Sequence, residues 1–125
     1  FVIQRPRVTP DTTTIPQHDL AVIKIAIDSV TLDTNYYYEI VNETDRMKVF
    51  SQVPGLTPEQ RTSVQLKVTP QVLDDLVKYT RIVRPSTKFA IDADKRLRFK
   101  WVNDAMDILR KNRATVFNFV TDKKQ

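Results

Sequence analysis

The 125 residues contain no cysteine, one glycine (Gly55) and one histidine (His18). Without cysteine there are no disulfides, zinc–thiolate sites, iron–sulfur clusters or thiol nucleophiles. The redox compartment stays open, because a cysteine-free chain works equally well in either. A lone glycine excludes the glycine-rich phosphate cradles of nucleotide enzymes. A lone histidine excludes a His-rich metal site and argues against a Ser-His-Asp triad. Long apolar runs are also missing. The longest charge-free stretch, Val49–Pro58, has ten residues and includes two prolines and the glycine, whereas a spanning helix needs about 20 apolar residues. What is present is a 41% apolar, 28% charged composition, which fits one globular domain and not a disordered chain.

Charge is divided unequally along the chain. Residues 1–77 carry a net −3 and residues 78–125 a net +8, within a formal total of +5. A basic half attracts nucleic acid, anionic lipid or an acidic partner, or simply solvates a face. The chain starts at Phe1 without methionine or signal peptide, so a piece of a longer protein is expected. Residues 1–19, with Pro6, Pro10, Pro16 and the Thr12–Thr14 run, read as an extended arm or linker.

Apolar residues at 21, 23, 25 and 27 alternate as in a half-buried strand. Tyr36–Val41 has strong β propensity, and only Tyr36 and Tyr38 of its three tyrosines share a face. Residues 42–67 are mixed. They hold an Asn42-Glu43-Thr44 sequon, the helix-start signal Thr57-Pro58-Glu59-Gln60 with a short helix to about Leu66, and an alternative strand at 64–68. Thr69-Pro70 opens a helix whose apolar positions run from Val72 to Thr80, closed by Pro85. Thr87–Asp94 alternates again. Residues 99–110 are amphipathic, with Phe99, Val102, Met106 and Leu109 on one arc and Trp101 and Ile108 roughly 90° away. Thr115–Thr121 is a last strand, apolar on both faces except Asn118. The predicted class is α+β, a small mixed sheet with two main helices packed on one face, in the order β-β-(short element)-α-β-α-β.

At residues 87–122, Lys88-Phe89-Ala90-Ile91-Asp92-Ala93-Asp94-Lys95, followed by Phe99, Val102, Ala105-Met106-Asp107 and Leu109, resembles the periplasmic domain of ExbD/TolR biopolymer-transport proteins. The Ala93-Asp94-Lys95 form is closer to ExbD. Two departures stand out: Lys111-Asn112-Arg113 replaces a small or glycine-containing turn, and Arg98 replaces a capping Asp. The resemblance implies an inner-membrane protein, with residues 1–19 following a membrane helix that lies outside this sequence. Residues 20–122 would be the periplasmic domain, 42–67 an insertion and 123–125 a basic tail. The implied partners are ExbB/TolQ-like channel subunits, a TonB/TolA-like protein and a second copy of the chain, with the proton motive force as energy source. No cofactor, metal or nucleic acid is expected. The motif residues Ala93, Asp94, Lys95, Phe99, Met106 and Asp107 are read as structural.

Three functions compete on the residues. A non-enzymatic transducer would use Trp101 and Ile108, or a wider core stripe would claim them. Its last strand, with Val116, Phe117, Phe119 and Val120, would pair across a dimer or accept an added strand. A small nucleic-acid-binding domain would use the basic half with Tyr36, Tyr38, Phe99 and Trp101 as stacking groups. An enzyme would rest on Asp92, Asp94 and Asp107 alone, and turn closure and capping account for these aspartates more simply.

Overall fold

The computed structural model describes residues 19–114 and the backbone of 116–121. The elements are β1 (Leu20–Ile27), β2 (Thr34–Ile40), α1 (Glu43–Gln52), α2 (Pro58–Arg61), β3 (Gln65–Val68), α3 (Pro70–Val83), β4 (Lys88–Ala93), α4 (Phe99–Lys111) and β5 (Val116–Thr121). They build one five-stranded sheet in the order β3-β2-β1-β4-β5. β1 runs antiparallel to β2 and parallel to β4, and β5 is parallel to β4. The α+β class and the helices packed on the sheet agree with the sequence reading. All but the last residue of the predicted arm, 1–19, and the whole predicted tail, 123–125, lie outside the described residues.

The single short element expected between β2 and α3 is in fact three: α1, α2 and β3. Helix α1 escaped the pattern because its apolar residues are few and clustered, with only Val49, Phe50 and Asp45 buried. The sequon asparagine has a structural task here. The Asn42 side chain accepts a hydrogen bond from the Asp45 N–H and caps α1, satisfying one donor that helix geometry leaves open. The Thr57 signal does start a helix, α2, with a complete capping box: Gln60 N–H donates to Thr57 Oγ1 at 3.1 Å and Thr57 N–H to Gln60 Oε1 at 2.8 Å. It stops after one turn, and the alternating residues beyond it form β3. Arg61 then donates to the Phe50 and Val53 carbonyls at 2.6 and 3.3 Å, closing the C-terminal end of α1. Residues 42–67 also supply Val49, Phe50, Val53, Leu56 and Leu66 to the central apolar cluster.

Alternation decides which sheet face is covered. Ala21, Ile23 and Ile25 of β1, Tyr36, Tyr38 and Ile40 of β2, and Phe89, Ile91 and Ala93 of β4 are buried against the helices. The opposite face carries Lys24 and Glu39, whose side chains meet at 3.0 Å. Both tyrosines on the helix side use their hydroxyls. Tyr36 Oη donates to the Trp101 carbonyl of α4 at 2.8 Å. Thr80 Oγ1 donates to the Leu76 carbonyl at 2.7 Å, so it accepts from Tyr38 Oη, also at 2.7 Å. Burial pushes the Tyr36 phenol up to about 12, with Asp104 adding to the effect, and it raises that of the fully buried Tyr38 further.

The Tyr38–Thr80 contact generates an ordered prediction. Tyr38→Phe removes a donor that Thr80 can spare and should cost about 1 kcal/mol. Thr80→Val strands the phenolic hydroxyl in the core and should cost more, about 2 kcal/mol. The double variant should fall well short of the sum. Urea denaturation of the three variants checks this, and equal single-variant losses would refute it.

Candidate interaction surface

The residues carrying the family resemblance form one continuous unit: β4, a tight turn, α4, a second turn and β5. Ala93 is buried at the end of β4 and Asp94 begins the turn. The Asp94 N–H donates to the Ile25 carbonyl of β1 at 3.1 Å, and the Asp94 carbonyl accepts from Leu97 N–H at 3.2 Å. Its carboxylate is buried and clasped by the next residue but one. Arg96 N–H and Nε both reach Oδ1 at 2.9 Å, and Arg96 Nη2 reaches Oδ2 at 2.7 Å. A carboxylate taking a backbone N–H and a forked guanidinium together is strongly tied. Asp94 thus closes the turn that delivers the chain into α4. Lys95 stands exposed beside it.

Asp92 differs from the turn-closing role foreseen for it. It lies within β4, 2% exposed, level with Lys24 on β1. Asp107 sits on the exposed side of α4 and pairs with Arg110 three residues on. The three aspartates therefore occupy a strand, a turn and a helix surface. Among the described residues, no group of three or more His, Cys, Asp or Glu side chains could hold a metal ion.

Helix α4 is amphipathic as predicted, but its buried stripe is Val102, Ala105 and Leu109. Phe99, assigned to that arc, is 71% exposed at the first helical position, one turn ahead of the buried Val102. Met106, Trp101 and Ile108 are half-buried and packed on the core. The Trp101 ring lies 5.4 Å from that of Tyr36, tilted by 55°. Trp101 and Ile108 thus widen the core stripe while remaining half-exposed. The stacking platform imagined for nucleic acid is also lost, since Tyr36 and Tyr38 are 2% and 0% exposed.

The second turn shows how the chain manages without glycine. Arg113 N–H donates to the Arg110 carbonyl at 3.0 Å and Ala114 N–H to the Leu109 carbonyl at 2.8 Å, the paired bonds of a Schellman ending. That ending needs a left-handed residue, and Arg113 supplies it with φ 57°. Asp74 of α3 holds the same corner, accepting from Asn112 Nδ2 at 2.6 Å and Lys111 Nζ at 2.9 Å. The Asn112 hydrogen bond, with Lys111 adding to it, lowers the Asp74 carboxyl below its ordinary value of 3.8.

Strand β5 follows at the sheet edge, paired with β4 alone among the described strands. The other edge, β3, is four residues long and carries exposed Lys67, features that discourage strand addition. β5 is six residues long. The side chains of Val116, Phe117, Phe119 and Val120 lie outside the described residues, and the edge is defined here by its backbone pairing.

Two outcomes follow at the α4–β5 corner. Arg113→Gly should raise stability by roughly 0.5–1 kcal/mol, since glycine adopts the left-handed conformation without steric cost; a lower thermal midpoint would contradict this. Asp74 binds its proton less readily folded than unfolded, so its contribution is complete above the ordinary carboxylate pKa. It disappears as pH falls through the lower folded value. Asp74→Asn should flatten the stability–pH curve below about pH 4, as measured by denaturation at a series of pH values.

Comparison of the chain with family models, with curated proteins and with solved structures gives no match in any of the three. The functional reading therefore stands on the residues and their geometry.

Proposed function

We propose that this chain is the periplasmic domain of an ExbD-like inner-membrane protein. It couples the proton motive force, through an ExbB/TolQ-like channel, to a TonB/TolA-like partner for transport or envelope work. On this reading the domain is a non-enzymatic transducer that dimerises and docks a partner segment. The observation that carries it is the Ala93-Asp94-Lys95 block at the β4–α4 turn, joined through α4 to a six-residue strand at the sheet edge. An edge strand presents a row of unpaired backbone donors and acceptors, a template for a strand from a second copy or a partner peptide. No helix among the described residues is long and apolar enough to cross a membrane. The anchoring helix belongs, on this proposal, to sequence upstream of Phe1.

The absence of cysteine makes the test clean. A single cysteine introduced at Asn118 of β5 should give a disulfide-linked dimer under mild oxidation, whereas one at Lys67 of β3 should not. Sedimentation of the unmodified chain should show self-association at high concentration, or a mass shift when the periplasmic segment of a TonB/TolA-like protein is added. A strictly monomeric species that ignores that segment would overturn the proposal.

A further inference from the structure

The carboxyl end of β1 and β4 exposes apolar side chains that the fold does not use. Ile25 and Ala93 are register partners, so the β1–β2 loop and the β4–α4 turn leave the sheet at one end. At the tip of the β1–β2 loop, Val30 is 87% and Leu32 73% exposed; Phe99, opening α4, is 71% exposed. Exposed apolar residues are ordinary, and Met47 on α1, Val64 before β3 and Ile82 near the end of α3 are further cases. What sets the carboxyl-end group apart is the backbone that holds it.

The loop that carries two of them is rigidly built. Asp28 Oδ1 accepts from Val30 N–H at 2.8 Å and Thr31 N–H at 2.9 Å. The Asp28 carbonyl takes Leu32 N–H at 2.9 Å, and Asp28 N–H reaches the Asp33 carbonyl at 2.8 Å. The backbone N–H groups of Thr31 and Val30 hold the Asp28 carboxyl below its ordinary range. Leu32 is held at φ 64°, a conformation glycine or asparagine adopts at less cost. A leucine kept in that strained position, with its side chain turned to solvent, gives the isolated fold nothing.

From this geometry we infer that the end bearing Val30, Leu32 and Phe99 docks on a phospholipid bilayer surface, the three side chains entering the interface. Separate apolar tips on two loops fall far short of the roughly 800 Å² per partner that a stable protein interface buries. A bilayer needs no matching contour, because each tip gains by partition alone. Lys95, Arg98 and Lys100 are exposed beside the tips, placed to lay their stems along the interface and reach headgroup phosphates. Most acidic groups at this end are engaged within the fold: Asp28 in its own loop, Asp94 by Arg96 and Asp104 by Lys100 at 3.1 Å. Asp33 also lies at this end, so charge is nearly balanced and apolar partition carries the binding.

Vesicles of mixed phosphatidylethanolamine and phosphatidylglycerol, co-sedimented with the 125-residue chain, test this. The chain should pellet with them, and Leu32→Gly or Phe99→Ser should each weaken binding about tenfold. Leu32→Gly should at the same time hold or raise the thermal midpoint, so lost binding cannot be blamed on misfolding. Ile82→Ser, on α3, should bind as the unmodified chain does. No vesicle binding would overturn the inference. So would binding that salt abolishes but Leu32→Gly leaves intact, or lipid-free self-association that needs the same three side chains. Dimerisation through β5 is read by a different assay, so the two proposals fail separately.

Discussion

Two tyrosine hydroxyls hold the helical layer in register with the sheet. Strand alternation sends Tyr36 and Tyr38 to the same face, where burial would be costly for an unsatisfied phenol. Each is satisfied by a different helix, Tyr36 by the Trp101 carbonyl of α4 and Tyr38 by Thr80 of α3. Apolar packing of α3 and α4 on the sheet sets their general placement, and each hydroxyl bond adds a directional contact that a shift of its helix would break. Both helices are thereby tied to β2.

Arg84 and Lys111 link the basic half of the chain to the acidic one. Arg84 reaches back to Asp45 of α1 at 2.9 Å and Lys111 to Asp74 at 2.9 Å. The first of these matters more, because Asp45 is 4% exposed and removing its partner would leave a buried charge. The others are surface pairs, worth little individually. At the carboxyl end of β1 and β4, Lys95 and Arg98 stand exposed beside Phe99, where Asp28, Asp33, Asp94 and Asp104 bring the charge close to balance.

Scarcity of glycine acquires a structural meaning in the same way. Three described residues have positive φ: Gly55, Leu32 and Arg113. Arg113 ends α4 in a Schellman turn, a position the fold requires. Leu32 tips a loop that the fold could have closed with a better-suited residue. The same backbone conformation therefore serves architecture at one site and points outward at the other.

Much of this was legible in the residues. Alternation located β1 and β4, the Thr69-Pro70 signal located α3, and the spacing of Phe99, Val102, Met106 and Leu109 located α4, because these elements bury one regular face. Helix α1 was not legible: it buries little apolar surface and is held by an asparagine cap and the Arg61 contacts. Nor was the exposure of Phe99, since a helical wheel records direction and not whether anything lies there to pack against. Asp92 lies inside the strand that the alternation over residues 87–94 indicates, so the turn and capping roles read for the three aspartates do not extend to it. The α+β class, the absence of thiol and glycine-loop chemistry, and the pairing of Tyr36 and Tyr38 on one face are all readable from the residues, since each depends on composition or local periodicity. Which of the described strands lie at the sheet edges, which carboxylates are engaged and which apolar side chains are left over emerge only on folding. Those depend on contacts between residues far apart in the chain, and no local pattern encodes them.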